Sequence, residues 1–111
     1  MKLLNRGFII VSPKTHFINE ILLHTTSGEL LTPRLPEPTV YLIEEDFWDD
    51  DIVLKKYVKR IITAEIKQIE PEKEISLSKI NFDNIHDYFD ISMGSLVLDL
   101  EDRSIERITD D

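Results

Sequence analysis

Asp49-Asp50-Asp51-Ile52-Val53-Leu54-Lys55-Lys56-Tyr57-Val58-Lys59-Arg60-Ile61-Ile62-Thr63-Ala64-Glu65-Ile66-Lys67-Gln68-Ile69 is the longest periodic run in the chain, and the fold class follows from how it is read. At about 100° per residue, Leu54, Tyr57, Val58, Ile61, Ile62 and Ile69 share one broad stripe, while Lys55, Lys56, Lys59, Arg60, Thr63 and Lys67 fill the opposite side. The spacing predicts an amphipathic helix over 49–69, one face on a sheet and the other in water. The three leading aspartates complement the positive end of its dipole. Pro71 ends it, because the residue before a proline disfavours the helical region. The basic patch Lys55, Lys56, Lys59 and Arg60 reads as a solvated face that pairs with neighbouring acids.

On either side of this helix the pattern turns to short strands. Gly7-Phe8-Ile9-Ile10-Val11 and Thr39-Val40-Tyr41-Leu42-Ile43 are apolar, β-branched runs, which suit buried strands over 7–12 and 39–44. Between them, Ser12 can cap and Pro13 can open a helix over 13–24, with Phe17, Ile18, Ile21 and Leu22 at helical spacing. A strand with Phe17, Ile21 and Leu23 on one face is the competing reading of that segment. Thr25-Thr26-Ser27-Gly28 and the prolines Pro33, Pro36 and Pro38 make 25–38 an irregular connector inside one domain. Residues 70–79 are polar and expected to loop, after which Asn81 can cap a short helix carrying Phe82, Ile85 and Phe89.

Phe89, Ile91 and Met93 then alternate on odd positions, and Leu96, Leu98 and Leu100 on even ones, giving expected strands over 89–93 and 96–101. A two-residue period cannot change parity without an extra residue or a reversal, so Gly94-Ser95 is expected to form a bulge or tight turn. The acidic tail over 102–111 is expected to fray, with Ile105 and Ile108 as the residues able to pin it. The sum is one α+β domain over 1–111: a sheet of about four strands covered by a long helix and one or two short ones.

Composition narrows the function classes. The 111 residues are 41% hydrophobic and 32% charged, enough apolar surface for a single core with a radius of gyration of roughly 13 Å. Cysteine is absent, which excludes disulfides, thiolate metal sites and a cysteine nucleophile and permits a reducing cytoplasmic setting. A net charge of −9 repels a phosphate backbone and attracts a basic protein surface, so the expected partner is a protein rather than nucleic acid. Three glycines, Gly7, Gly28 and Gly94, cannot build a phosphate-cradling loop. No apolar run reaches the roughly 18 residues that span a bilayer, and Asn5 and Arg6 break the start, so neither a membrane helix nor a signal peptide is expected.

Two features stand out as candidate sites. Glu44-Glu45-Asp46-Phe47-Trp48-Asp49-Asp50-Asp51 sets six acids around two aromatics. Phe47 and Trp48 could staple against the first helical turn, or Phe47, Trp48, Asp49, Asp50 and Asp51 could form an acidic-aromatic contact patch. A calcium loop of the EF-hand kind would need a central glycine and a terminal glutamate. Glu65 lies about 20° from Leu54, near the middle of the apolar stripe, where a carboxylate is costly unless a backbone donor or a cation satisfies it, and where burial would raise its pKa toward acid–base chemistry. His16, His24 and His86 lack metal-ligand spacing, and Gly-x-Ser-x-Gly is absent, so no catalytic residue, metal or cofactor is assigned.

Gly7–Val11 with Pro13-Lys14 and Phe17, Thr39–Ile43, Glu65, and Tyr88-Phe89-Asp90-Ile91 with Ser95, Val97, Asp99 and Leu100 resemble, in that order, a group of small uncharacterised bacterial α+β proteins with no assigned activity. The resemblance implies a bacterial cytoplasmic setting and a single α+β domain. The reading that results is a non-enzymatic acidic interaction or regulatory domain of the inhibitor or immunity kind, with a small-molecule binding domain or weak hydrolase centred on Glu65 as the alternative. A third, mimicry of a phosphate backbone, would need the acids of 44–51 and 99–111 on one surface.

Overall fold

The computed structural model describes residues 1–24, 37–45, 48–71 and 74–109. Chain order runs β1 (Lys2–Leu3), β2 (Gly7–Pro13), α1 (Thr15–Leu23), β3 (Thr39–Ile43), α2 (Asp50–Ile69), a 3-10 turn (Phe82–Asn84), α3 (Ile85–Tyr88), β4 (Phe89–Gly94) and β5 (Leu98–Asp99). The class is α+β. No helix among the described residues is long and apolar enough to cross a membrane.

β2 is the central strand of a three-stranded sheet of order β3-β2-β4, antiparallel on both sides. Its sequence suits that place, since both of its edges are paired and its side chains are apolar on both faces. Ile9 and Val11 point inward and are fully buried; Ile9 faces Tyr41 on one side and Met93 on the other, and Val11 faces Thr39 and Ile91. Pro13, which cannot donate to the ladder, falls at the last position of the strand. Phe17 of α1 meets Phe89 of β4 with ring centroids 4.4 Å apart, and Ile21, Ile85 and Tyr88 close the same core.

α2 begins one residue after Asp49, whose carboxylate accepts from the amides of Asp51 at 2.9 Å and Ile52 at 3.3 Å. It stops at Ile69, with Glu70 as C-cap before Pro71. Val53, Leu54, Val58, Ile61, Ile62 and Ile66 are buried, and Tyr57 and Ile69 half-buried, so the apolar stripe sits slightly toward Val53 and Ile66 of its expected position. Asn81 caps as expected, in a capping box with Asn84, though it starts a 3-10 turn and α3 ends at Tyr88, leaving Phe89 to the strand.

Four expectations need correction. Among the described residues the sheet has three strands, not four: the segment after Gly94 bends at Ser95 and leaves the sheet, and its short strand β5 pairs instead with β1 in a separate two-stranded ladder. The parity change is resolved by departure, so Leu96, Leu98 and Leu100 are exposed. Gly94 marks the departure point: a Cβ there would lie 2.5 Å from Phe8 Cζ, because the Phe8 ring lies across the glycine opposite it. The first helix starts at Thr15 rather than 13, because Ser12 and Pro13 remain in β2 opposite Asp90 and Phe89. Ile105 and Ile108 do not pin the tail; both are exposed. The radius of gyration is 15.4 Å, above the compact expectation, with the β1–β5 ladder and the tail adding length without adding to the core. The expected connector falls largely on residues 25–36, outside the described residues.

The segment expected to be a polar loop, 70–79, also contributes to the core through Leu77, with Ile80 directly after it. At its start Glu70 is fully buried, and among the described residues neither of its carboxylate oxygens has a hydrogen-bond partner. Such a group costs desolvation free energy that no described residue offsets. Glu70→Met is therefore expected to stabilise the domain by about 1–3 kcal/mol in urea unfolding at neutral pH. A loss of stability would show that the carboxylate is satisfied in solution.

Candidate functional site

The acid-rich turn before α2 divides into residues with different work. Asp49 is consumed by capping, worth about 1 kcal/mol for such a residue. Asp50 and Asp51 occupy the first turn with their side chains in water, where they favour the helix dipole and remain free to meet a partner. Trp48 is 99% exposed, so the expected staple of this indole against the first turn does not form. Ile52, four residues along, is 69% exposed, so two large apolar side chains face water in this acid-rich stretch. Phe47 lies outside the described residues.

Glu65 belongs to a second, buried constellation. It is 2% exposed, and its Oε2 accepts from the Tyr41 hydroxyl and, at 3.3 Å, from the Gln68 amide. Thr39 Oγ1 and Gln68 Oε1 lie 3.1 Å apart, with the hydroxyl donating. Further along, Glu44, just past β3, accepts from Lys56 at 2.8 Å and from the Tyr57 hydroxyl at 3.2 Å. The partners run in opposite order, 44 with 56 and 57, 41 with 65, and 39 with 68, so β3 lies antiparallel along α2. Five strand residues at about 3.3 Å and eleven helix residues at about 1.5 Å both cover about 16.5 Å, and the two elements therefore stay in step from end to end.

Electrostatics follow from that enclosure. Burial pushes the Glu65 carboxyl above its ordinary value, and the hydrogen bond from the Tyr41 hydroxyl offsets this only in part. Burial, with the facing Glu65 carboxylate, pushes the Tyr41 phenol up as well. Glu44 is held below the usual carboxylate range by its hydrogen bond with Lys56, and Lys56 rises correspondingly. The pairing expected for Glu65 was a backbone donor or a cation; the donors found are a phenol and an amide. Tyr41 was legible only as an inward position of β3, in phase with Thr39 and Ile43, while Gln68 stands three residues after Glu65 on the same helix face.

One polar cluster had no counterpart in the sequence reading. Glu20 of α1 is buried, 2.6 Å from Lys79 Nζ and 3.8 Å from His16 Nε2, and the His16 ring stacks on Tyr88 at 4.3 Å. The hydrogen bond with Glu20 raises Lys79. Glu20 stands beside Phe17 and Ile21 on the helix, so its burial could be read from the pattern, but Lys79 lies 59 residues away and nothing local marks it. Among the described residues no three His, Cys, Asp or Glu side chains gather to hold a metal ion.

Comparison with known proteins adds no homology to this geometry: no family model, curated protein or solved structure matches the chain.

Because Glu65 binds its proton more tightly folded than unfolded, its contribution to stability is complete below the ordinary value of 4.5 and is lost as pH rises through the raised folded value. Glu65→Gln keeps an acceptor for Tyr41 and removes the titration. The variant should therefore gain stability relative to the wild type as pH is raised from 4 to 7, measured by urea midpoints across that series. A constant difference would place the Glu65 pKa at its unfolded value.

Proposed function

We propose that the protein is a non-enzymatic interaction domain that binds a protein with a basic surface through Trp48, Ile52, Asp50 and Asp51. The observation that carries this reading is the indole of Trp48, 99% exposed four residues before the exposed Ile52. Leaving a tryptophan and an isoleucine in water forgoes burial free energy, and aromatic anchors framed by charge are the usual composition of interface cores and rims. The net charge of −9 supports a basic partner, since it accelerates encounter with a cationic surface and opposes approach to nucleic acid. Within this reading the protein acts in the cytoplasm as an inhibitor or immunity-type binder, with the charges setting the association rate and Trp48 the residence time.

Glu65 supports this assignment by its position rather than its chemistry. With Tyr41 and Gln68 on its carboxylate and almost no exposed surface, it serves to hold β3 on α2. Hydrolysis would require a substrate to displace the Tyr41 hydroxyl from it.

Affinity capture from the source cell's lysate, followed by binding kinetics with the purified partner, tests the proposal. Trp48→Ala is expected to weaken binding about tenfold or more, mainly through faster dissociation. Asp50→Lys with Asp51→Lys is expected to slow association and flatten its salt dependence. Asp49 is left intact in both, so the helix cap is preserved; the lysine pair loses the favourable dipole interaction of the first turn and is expected to lower the melting temperature by a few degrees, whereas Trp48→Ala leaves that turn unchanged. Unchanged affinity in both variants would remove this surface from consideration.

A further inference from the structure

Between the end of β3 and the middle of α2 lies a cleft of about 270 Å³, lined by Arg6, Tyr41, Leu42, Tyr57, Arg60 and Ile61, with Ile43 and Glu44 completing its wall. Its volume is just under the roughly 300 Å³ at which ordinary small-molecule sites begin. Arg6 precedes β2 and Glu44 follows β3, so the Gly7–Ile43 pairing brings both to the same end of the sheet. Arg60 stands one turn beyond Tyr57 on α2, its guanidinium 5.7 Å from the centre of the Tyr57 ring.

The charge balance of this cleft is unusual for so acidic a chain. The carboxylate on its wall among the described residues, Glu44, is already held by Lys56 and by the Tyr57 hydroxyl. Tyr41 has turned its hydroxyl away, to Glu65. Arg60 forms no hydrogen bond or ion pair among the described residues, and Arg6 uses a single nitrogen, on the carbonyl and side chain of Asn5. Two guanidinium groups therefore line one opening whose described carboxylate, Glu44, is already engaged by Lys56 and Tyr57, and the walls beside them are two tyrosine rings with Leu42 and Ile61.

We infer that this cleft is a binding site for a small organic anion, a carboxylate or phosphate carried on a flat apolar ring. Guanidinium groups match oxyanions bidentately, and the ring supplies what Tyr41, Tyr57, Leu42 and Ile61 can cover. A long polyanion is disfavoured, because beyond about one Debye length, roughly 8 Å, it meets the remaining negative surface. The site shares no residue with the Trp48 surface, although Ile52, Lys56 and Arg60 follow one another at four-residue spacing along the same face of α2.

The test is a nitrogen-15 amide titration of the full chain with phenyl phosphate, with benzoate as the carboxylate probe and inorganic phosphate as the probe without a ring. Saturable shifts confined to residues near 6, 41–44 and 57–61, with a Kd at or below about 1 mM for phenyl phosphate or benzoate and weaker binding of inorganic phosphate, are expected. Arg60→Met and Arg6→Met should each weaken binding about tenfold while the rest of the spectrum is unchanged. Shifts that fail to saturate, or the same Kd in both folded variants, would overturn the inference. Because Trp48→Ala leaves the cleft intact, its effect on partner binding is read independently.

Discussion

Everything distinctive in this domain depends on the seam between β3 and α2. The elements run antiparallel and advance by the same distance over the contacting stretch, so Glu44, Tyr41 and Thr39 each meet a partner on the helix: Lys56 and Tyr57, Glu65, and Gln68. Polar groups at an otherwise apolar interface contribute little net stability. Their effect is on alignment, because a slip of one strand residue would turn Tyr41 to the other face and leave the Glu65 carboxylate buried without its phenol. An apolar residue at position 65 would pack the same gap without selecting that register.

The seam also explains why the sheet remains small. β2 holds β3 on one side and β4 on the other, and α2, α1 and α3 supply enough apolar surface to close the inner face around Ile9, Val11 and Phe89. The outer face is left with Val40 and Leu42 exposed and with Phe8 lying across Gly94. At that glycine the chain departs, and the leucines that follow gain nothing from the core. Their alternation resembles that of a buried strand, yet the side chains face water around a two-residue ladder.

Charge is distributed with a similar division of labour. Carboxylates inside the fold, Glu20 and Glu65, have donors drawn from distant elements, whereas Glu70 has none among the described residues. Those at the start of α2 split between a cap, Asp49, and free anions, Asp50 and Asp51. The cations show the complementary pattern: Lys56 and Lys79 are spent on acids, while Arg6 and Arg60 line a cleft whose described acid, Glu44, is held by Lys56. The long helix thus carries an exposed tryptophan and free carboxylates at its start and two arginines beside a cleft at its middle.

Local physics was sufficient for much of this. Periodicity, the aspartate cap and Pro71 placed α2 to within a residue, β-branched runs located β2 and β3, odd-position alternation located β4, and the Asn81 cap marked the turn into α3. Each of those signals is carried by neighbours within one or two turns, where side-chain geometry is set by the backbone repeat itself. The same reasoning could flag Glu65 as costly but could not name Tyr41, because a donor 24 residues away is chosen by how a strand lies on a helix. It took Leu96, Leu98 and Leu100 for a fourth strand because alternation reports which side chains share a face, not whether anything covers that face. Ser12 and Pro13 looked like a helix start, and pairing with β4 kept them in the strand for one more turn of the ladder. Element identity was thus written in the sequence; strand count, the partners of the buried acids, the exposure of Trp48 and the convergence of Arg6 with Arg60 were settled only by tertiary packing, where residues far apart compete for the same limited surface.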